Sequence, residues 1–397
     1  MPQPAARMEL VRPSAIRELL ALAADPGIIS FGGGYPDPAL FPTADLGEAF
    51  RRAIEEQGAS ALQYAPSEGI DRLRDQVAGL MRADGVACGA ENILMVQGAQ
   101  QAIDLVGKMW LEPGDVVLTE TPSFLGGIVG LNPYEPVYRS VRTDEHGIDP
   151  AHLEVVLREN PRAKLLYTVP DFHNPTGYTL SLERRARVVE LAREHDIVIL
   201  EDTPYRELFF TAQKLPTLKS FDTDGRVYHV GSFSKTLAPG LRTGWMVADP
   251  DTVERLALLK LATDTQNSTL NMSAISLYLE HADYGAHLER NREHYRAKRD
   301  HTAAALAAEL PEEVGYSVPA GGLFLWLTFP EHVNTDRLLR EHLIPRAGVA
   351  FVPGSSFYSE NPEFNRGRLG FPTLPSDRIS EGIHRIARGY ADARHLL

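Results

Sequence analysis

Between residues 93 and 247, short apolar runs alternate with longer stretches of helical periodicity, and this rhythm constrains the fold more than any single motif. The runs are Ile93 to Gln97, Asp115 to Thr119, Lys164 to Val169, Ile197 to Leu200, Val227 to Val230 and Gly244 to Val247. Each is too short for a helix and is bounded by glycine, proline or polar residues, so each reads as a buried strand. One helix follows Gly98 and runs to Trp110, another opens at Pro122-Ser123-Phe124, and Ser181 caps a third with Leu182, Ala186, Val189 and Ala192 expected inward. Strands separated by helices give a mostly parallel α/β sheet covered on both faces, and such sheets bind ligands at the carboxyl ends of their strands. Asn174, Asp202 and Lys235 all fall near those ends, so the pattern can bring them to one site.

The flanking regions read differently. Residues 14 to 24 have Ile16, Leu19, Leu20 and Ala23 on one face, a short amphipathic helix ended by Asp25-Pro26-Gly27. Gly32-Gly33-Gly34 follows, where the backbone can approach a ligand closely or simply turn. A helix is expected from Pro42-Thr43 to residue 57, an extended stretch at Leu62-Gln63-Tyr64-Ala65-Pro66, and a helix with Leu73, Val77, Leu80 and Met81. Beyond residue 290 come strands at Leu323 to Thr328, Val349 to Val352 and Arg368 to Phe371, then a last helix with Ile379, Ile383, Ile386 and Tyr390 in register. The expected division is an N-terminal segment (1–45) that joins the small domain and covers the site, a large domain (46–290), and a small α+β domain (291–397).

Composition narrows the function classes. The 397 residues carry a net charge of −13 with no basic block, which argues against nucleic acid or an anionic membrane as partner. No run approaches the ~18–20 apolar residues of a membrane span, and Met1 to Arg12 lacks the apolar core of a signal peptide. The one cysteine, Cys88, excludes an internal disulfide and a cysteine-based metal site, and no metal is expected. These features favour the cytoplasm.

Chemistry concentrates in Gly231-Ser232-Phe233-Ser234-Lys235-Thr236-Leu237-Ala238-Pro239-Gly240-Leu241-Arg242. A lysine at a strand end, among hydroxyls and near an arginine, suits a Schiff base with an aldehyde cofactor whose phosphate the hydroxyls and arginine bind. Taken alone, Ser-x-Ser-Lys equally fits a surface loop. Gly98-Ala99-Gln100 adds a strand-to-helix junction whose free N–H groups suit an anion.

In order and spacing these segments resemble fold type I pyridoxal-phosphate enzymes of the class I/II aminotransferase family, from Arg12 to the last helix. Pro13-Ser14-Ala15-Ile16-Arg17-Glu18-Leu19, Leu62-Gln63-Tyr64, Gln100-Gln101-Ala102-Ile103-Asp104-Leu105 and Gly231 to Lys235 are similar to the branch of 2-aminoadipate, kynurenine and related multi-substrate aminotransferases. The resemblance implies a large domain with a mostly parallel seven-stranded sheet plus a smaller α+β domain, pyridoxal 5'-phosphate as cofactor, and amino transfer between an L-amino acid and a 2-keto acid. Lys235 would hold the cofactor and move the Cα proton, and Asp202 would pair with the ring nitrogen. Asn174 and Tyr205 would bond the ring's 3-oxygen, and Phe124 would stack on the ring. The phosphate would meet Gly98, Ala99, Gln100, Ser232, Ser234 and Arg242. Tyr64 would reach it from a neighbouring subunit, implying a homodimer with shared active sites; otherwise Tyr64 is a core aromatic.

On the substrate side the resemblance implies Arg368 and Asn174 at the α-carboxylate and Gly33 and Gly34 along the wall. Arg17 would take a distal carboxylate or is a helix surface charge. The polar segment Thr263 to Asn271 would line the pocket near the dimer interface. Several positions depart from the branch: Ala99 for Ser or Thr, Phe124 for Tyr or Trp, His173 for Gln, Asn271 for Gln, and Phe371-Pro372 after Arg368. His173 reads as a structural partner of the cofactor loop. One alternative keeps the cofactor and performs β- or γ-substitution, decarboxylation or carbon–carbon bond formation in specialised biosynthesis. A regulator with an aminotransferase-like sensing domain is disfavoured, because the pattern starts near Arg12 and the chain is acidic. A dinucleotide-binding dehydrogenase is disfavoured by the lack of Gly-x-Gly-x-x-Gly.

Overall fold

The computed structural model describes Gln3, residues 5–9, Asp25 and residues 27–396; the expected helix over residues 14–24, with Arg17, lies outside the described residues. The first strand, β1 (Ile29–Ser30), pairs in parallel with Val349–Ala350 far along the chain. The large sheet then takes β2 (Ile93–Val96), β3 (Val116–Thr121), β4 (Val137–Asp144), β5 (Gly147–Ile148), β6 (Ala163–Thr168), β7 (Val198–Asp202), β8 (Val227–Ser232) and β9 (Gly244–Val247). Their spatial order is 2-9-8-7-6-3-4-5. Strands β8, β7, β6, β3 and β4 run parallel, while β9 lies antiparallel between β8 and β2. Seven of the strands are four residues or longer; β5 has two and folds back antiparallel on β4.

Alternate residues of these strands face opposite layers, as strand geometry requires. Val117, Leu165, Tyr167 and Leu200 enter one core with Leu325, Phe351 and Ile383 from the C-terminal part. Leu118, Leu166 and Ile199 enter another with Leu153, Leu157 and Val188. Strand β4 had no counterpart among the apolar runs, because Val137-Tyr138-Arg139-Ser140-Val141-Arg142-Thr143-Asp144 is mostly polar and buries only Val141. It lies near the sheet margin, with only the two-residue β5 beyond it, where full apolar cover is not needed.

The helix Leu182–Glu194 departs from expectation. Ser181 does cap it, accepting from the N–H of Arg184. Its buried set, however, is Arg185, Val188, Val189, Leu191 and Ala192, while Leu182 and Ala186 face solvent. Arg185 sets this orientation: its guanidinium donates to the carbonyls of Pro170, Leu180 and Pro216 and pairs with buried Asp171. Two arginines, Arg185 and Arg206, hold Asp171 down to about 2 against the upward push of burial.

Past the large sheet, one helix (Tyr284–Glu309) runs unbroken across residues 290 and 291 and links the two parts of the chain. The second sheet contains β10 (Gly315–Tyr316), β11 (Phe324–Thr328), β13 (Val352–Pro353) and β14 (Arg366–Gly370), all antiparallel in the order 10-11-14-13, with β12 (Val349–Ala350) paired to β1 instead. The expected strand from Val349 to Val352 is therefore split at Phe351 between two sheets. The last helix, Ser376–Ala393, buries Ile379, Ile383, Ile386 and Tyr390 as its spacing predicts. Phe31 accepts from the N–H of Gly370, so Gly32-Gly33-Gly34 is laid beside the end of β14.

Replacing Arg185 with alanine strands the Asp171 carboxylate next to Arg206 alone. Breaking a buried pair in this way should lower stability by about 3–5 kcal/mol, read by urea unfolding followed with circular dichroism. A loss under ~1 kcal/mol would place this pair with exposed ones and remove its role in orienting the helix.

Candidate active site

The carboxyl ends of β3, β6, β7 and β8 lie on one edge, and Val96 of β2 faces Gly244 of β9 on that same edge. The topology therefore collects Gly98, the loop after β6, Asp202, Ser232 and Arg242. A cleft of about 520 Å³ opens there. Its lining includes Gly33, Gly34, Ala99, Gln100, Phe124, Asn174, Asp202, Tyr205, Ser232, Ser234, Lys235, Arg242 and Arg368, with Tyr35, Leu125, Val129 and Phe357. A larger cavity of about 670 Å³ lies beyond Pro204 and Ser232, between Leu80, Trp245 and Tyr284. Size does not select the site here, because Lys235, Asp202, Asn174 and Arg368 all line the smaller space.

At the cleft floor the Lys235 Nζ donates to the Gly34 carbonyl at 2.8 Å and stands 6.0 Å from the centre of the Tyr205 ring. Its stem stays partly open to the cleft. Desolvation, reinforced by the positive charges of Arg368 and Arg242, pushes the Lys235 amine down to about 8. Asp202 ends β7 and is buried; its Oδ2 accepts from the Tyr167 hydroxyl at 2.8 Å, and its Oδ1 has no partner among the described residues. Burial pushes its carboxyl up to about 6, against the Tyr167 hydrogen bond.

A chain of hydrogen bonds joins the other polar groups. Arg368 Nη1 donates to Asn174 Oδ1 at 2.8 Å, and Asn174 Nδ2 donates to the Tyr205 hydroxyl at 3.2 Å. Arg368 Nη2 donates to the Gly32 carbonyl at 2.7 Å, and its Nε is unpartnered among the described residues. The guanidinium lies 4.4 Å from the Phe324 ring centre and 5.0 Å from that of Phe357. Burial pushes Arg368 down to about 10 and pushes the Tyr205 phenol up to about 12.

The side of the cleft toward Arg242 suits an anion. The helix Ala99–Trp110 starts at Gly98, which has φ +77° and no capping side chain. The Gln101 N–H returns to the Gly98 carbonyl, which leaves the N–H groups of Ala99 and Gln100 to suit an outside acceptor. A side chain at Gly98 would be strained and would come within 2.9 Å of Arg242, so glycine is needed. Arg242 Nη2 is anchored on the Gln97 carbonyl at 2.8 Å, and Ser232 Oγ donates to Ser234 Oγ at 3.0 Å. Gln100 turns its amide to the Gly126 carbonyl, at the start of the helix that follows Phe124.

Some expected residues lie elsewhere. Tyr64 is 81% exposed and borders a separate groove with Gln266, Ser268, Thr269 and Leu270. Asn271 donates to the Leu241 carbonyl, behind the lysine loop. His173 is buried, bonds Thr176 through Nδ1, and has Nε2 3.2 Å from Glu120 without hydrogen-bond alignment. The structure adds Tyr167, Phe324 and Phe357, which sequence reasoning did not single out. Tyr167 sits in an apolar run, where an aromatic reads as core; its nearness to the strand's carboxyl end was the only signal.

The chain matches the model of the family described as aminotransferase class I and II over residues 30–386. An aromatic-amino-acid aminotransferase of Thermococcus litoralis is 36% identical, covering 95% of this chain and 91% of that protein. A 2-aminoadipate transaminase of Thermus thermophilus is 40% identical, covering 95% and 94%. The crystal structure of LysN, the α-aminoadipate aminotransferase of Thermus thermophilus, complexed with N-(5'-phosphopyridoxyl)-L-leucine, superposes with a TM-score of 0.91 at 36% identity, covering 99% and 98%. All three are aminotransferases, which favours amino transfer over substitution, decarboxylation or carbon–carbon bond formation. A cleft lined by Lys235, the buried Asp202, Asn174, Arg242 and Arg368 is thus housed in a fold type I member of the class I and II aminotransferases, a pyridoxal-phosphate-dependent enzyme that transfers amino groups.

Proposed function

We propose that this cleft exchanges an amino group between an L-amino acid and a 2-keto acid, with Lys235 as the residue that holds the cofactor and moves the proton. The observation that carries this reading is the shared lining: Lys235, the unpartnered Oδ1 of Asp202, and the linked set Arg368–Asn174–Tyr205 all border one space. Two buried polar atoms without partners, Asp202 Oδ1 and Arg368 Nε, fit a ring N–H and a substrate carboxylate respectively. Gly98 φ and the N–H groups of Ala99 and Gln100 behind it fit a phosphate.

When bound, pyridoxal 5'-phosphate supplies an aldehyde that captures amines and a ring that takes up electron density from the substrate Cα. Gly98, Ala99, Gln100, Ser232, Ser234 and Arg242 would bind its phosphate, with Ala99 contributing backbone only. Asp202 Oδ1 would hold the ring nitrogen, Tyr205 and Asn174 would donate to the phenolic oxygen, and Phe124 would cover one ring face. Arg368 orients the α-carboxylate through its guanidinium fork. Lys235 moves the Cα proton with Nζ, which its lowered basicity makes available near neutral pH. Tyr35, Leu125 and Val129 offer apolar contact to the substrate side chain, with Gly33 and Gly34 leaving room beside it. The outward placement of Tyr64 supports a homodimer in which each chain lends this tyrosine to its partner's site. A single cysteine and an acidic surface fit the cytoplasm. Among the described residues no helix is long and apolar enough to cross a membrane.

Lys235→Ala should abolish amino transfer in an assay with amino donor and keto acid; retained activity would sink the reading. Mixing Lys235→Ala chains with Tyr64→Ala chains should restore part of the activity through hybrid dimers, while two silent variants that stay silent together would remove the shared site. The basicity of Lys235 has its own test. The neutral amine is the reactive form, so labelling of the apoenzyme at Lys235 should rise with pH and reach half its maximum near pH 8. A half-maximum near the ordinary lysine value of ~10.4 would show that burial leaves this amine unchanged.

A further inference from the structure

Asp202 has one oxygen for the ring nitrogen and one for its own chain. Tyr167, from the neighbouring strand β6, donates its hydroxyl to that second oxygen at 2.8 Å, and it is the one side chain that hydrogen-bonds Asp202 among the described residues. Both residues are buried. The Tyr167 ring reaches this position through a notch in the helix Leu125–Leu131, because a Cβ at Gly127 would stand 2.3 Å from its Cε1. Glycine at 127 is thus required for the tyrosine to stand where it does.

The surroundings give Asp202 little other help. His229 on β8 favours the Asp202 charge electrostatically, but its Nδ1 is 2.9 Å from Glu201 and its Nε2 3.3 Å from the Thr203 hydroxyl, so its hydrogen bonds go to those groups and not to Asp202. Glu120 on β3 opposes a charge on Asp202, and Tyr205 beyond β7 carries a neutral phenol. A carboxylate buried without donors takes up a proton. Burial already moves Asp202 upward, and the Tyr167 hydrogen bond works against that movement.

We infer that Tyr167 is a positioning residue for the reaction: its hydroxyl, admitted by Gly127, keeps Asp202 a carboxylate with Oδ1 turned to the cofactor's ring nitrogen. This rests on the assignment of Asp202 to that nitrogen. Without the hydroxyl the shared proton moves toward Asp202, the ring loses positive charge, and the bound cofactor's own visible titration shifts to higher pH. Its hold on the protein weakens as well, since the charged pair at the ring nitrogen is lost.

Tyr167→Phe removes the hydroxyl and keeps the ring. In the holoenzyme, the pH midpoint of the cofactor's visible band should rise by about half a pH unit or more. The pyridoxal-phosphate concentration that half-saturates the apoenzyme should rise about tenfold, the scale of a hydrogen bond to a charged group. Gly127→Ala, which keeps the hydroxyl but displaces the ring, should move the midpoint the same way; an unmoved midpoint would overturn the part given to the glycine. Asp202→Asn serves as reference. If it moves the midpoint and Tyr167→Phe does not, Tyr167 only packs and the inference fails by itself. If Asp202→Asn also leaves the midpoint in place, the assignment of Asp202 falls and takes the inference with it.

Discussion

Charge drawn out of water at the carboxyl edge of the sheet is what the surrounding structure has to hold. Burial pushes Asp202 and Lys235 toward their neutral forms, but the roles proposed for them need opposite outcomes. For Lys235 the push is useful, because a neutral amine is the form that attacks and accepts protons. For Asp202 it is harmful, and the Tyr167 hydroxyl resists it. Arg368, pushed down to about 10, remains a cation at neutral pH, and it ties the glycine segment to Asn174 through Gly32.

Those groups are useful only while the loops that carry them stay in place. Asp171, just before Asn174 in the same loop, is locked between Arg185 and Arg206, and Arg206 reaches on to Asp84. On the other side, Asp37 takes Lys298 and His294, which fastens the end of the glycine segment to the long helix Tyr284–Glu309. Lys298 also donates to the Pro372 carbonyl, shortly after Arg368. Buried pairs of this kind add little net stability compared with apolar packing, but losing one partner is costly. They fix geometry, so two parts of a long chain present a single cleft.

That Lys235, Asn174 and Asp202 line one cleft was largely readable, because the residues around it sit at junctions with their own local signals: a lysine among hydroxyls, a glycine before a helix, an Asn-Pro-Thr-Gly turn. Their assembly followed from strand-helix alternation, since a parallel sheet puts all its strand ends on one edge. Where the reading failed, the missing information was long-range. The buried face of the helix after Ser181 was turned by Arg185, a residue that periodicity assigns to solvent and that Asp171 and three backbone carbonyls draw inward. Strand β4 escaped notice because its partner strand, not its composition, makes it a strand.

What the sequence determined by itself was the fold class, the lysine, and the acidic and amide residues placed around it, since these follow from periodicity and turn chemistry within a few residues. The tertiary structure decided which oxygen of Asp202 is free, that Tyr167 holds the other, and that Tyr64 stands away from its own chain's cleft. It also divided Val349 to Val352 between two sheets. Each of these depends on contacts between segments distant in the chain, where burial and the satisfaction of polar groups choose among conformations that local preference leaves equal.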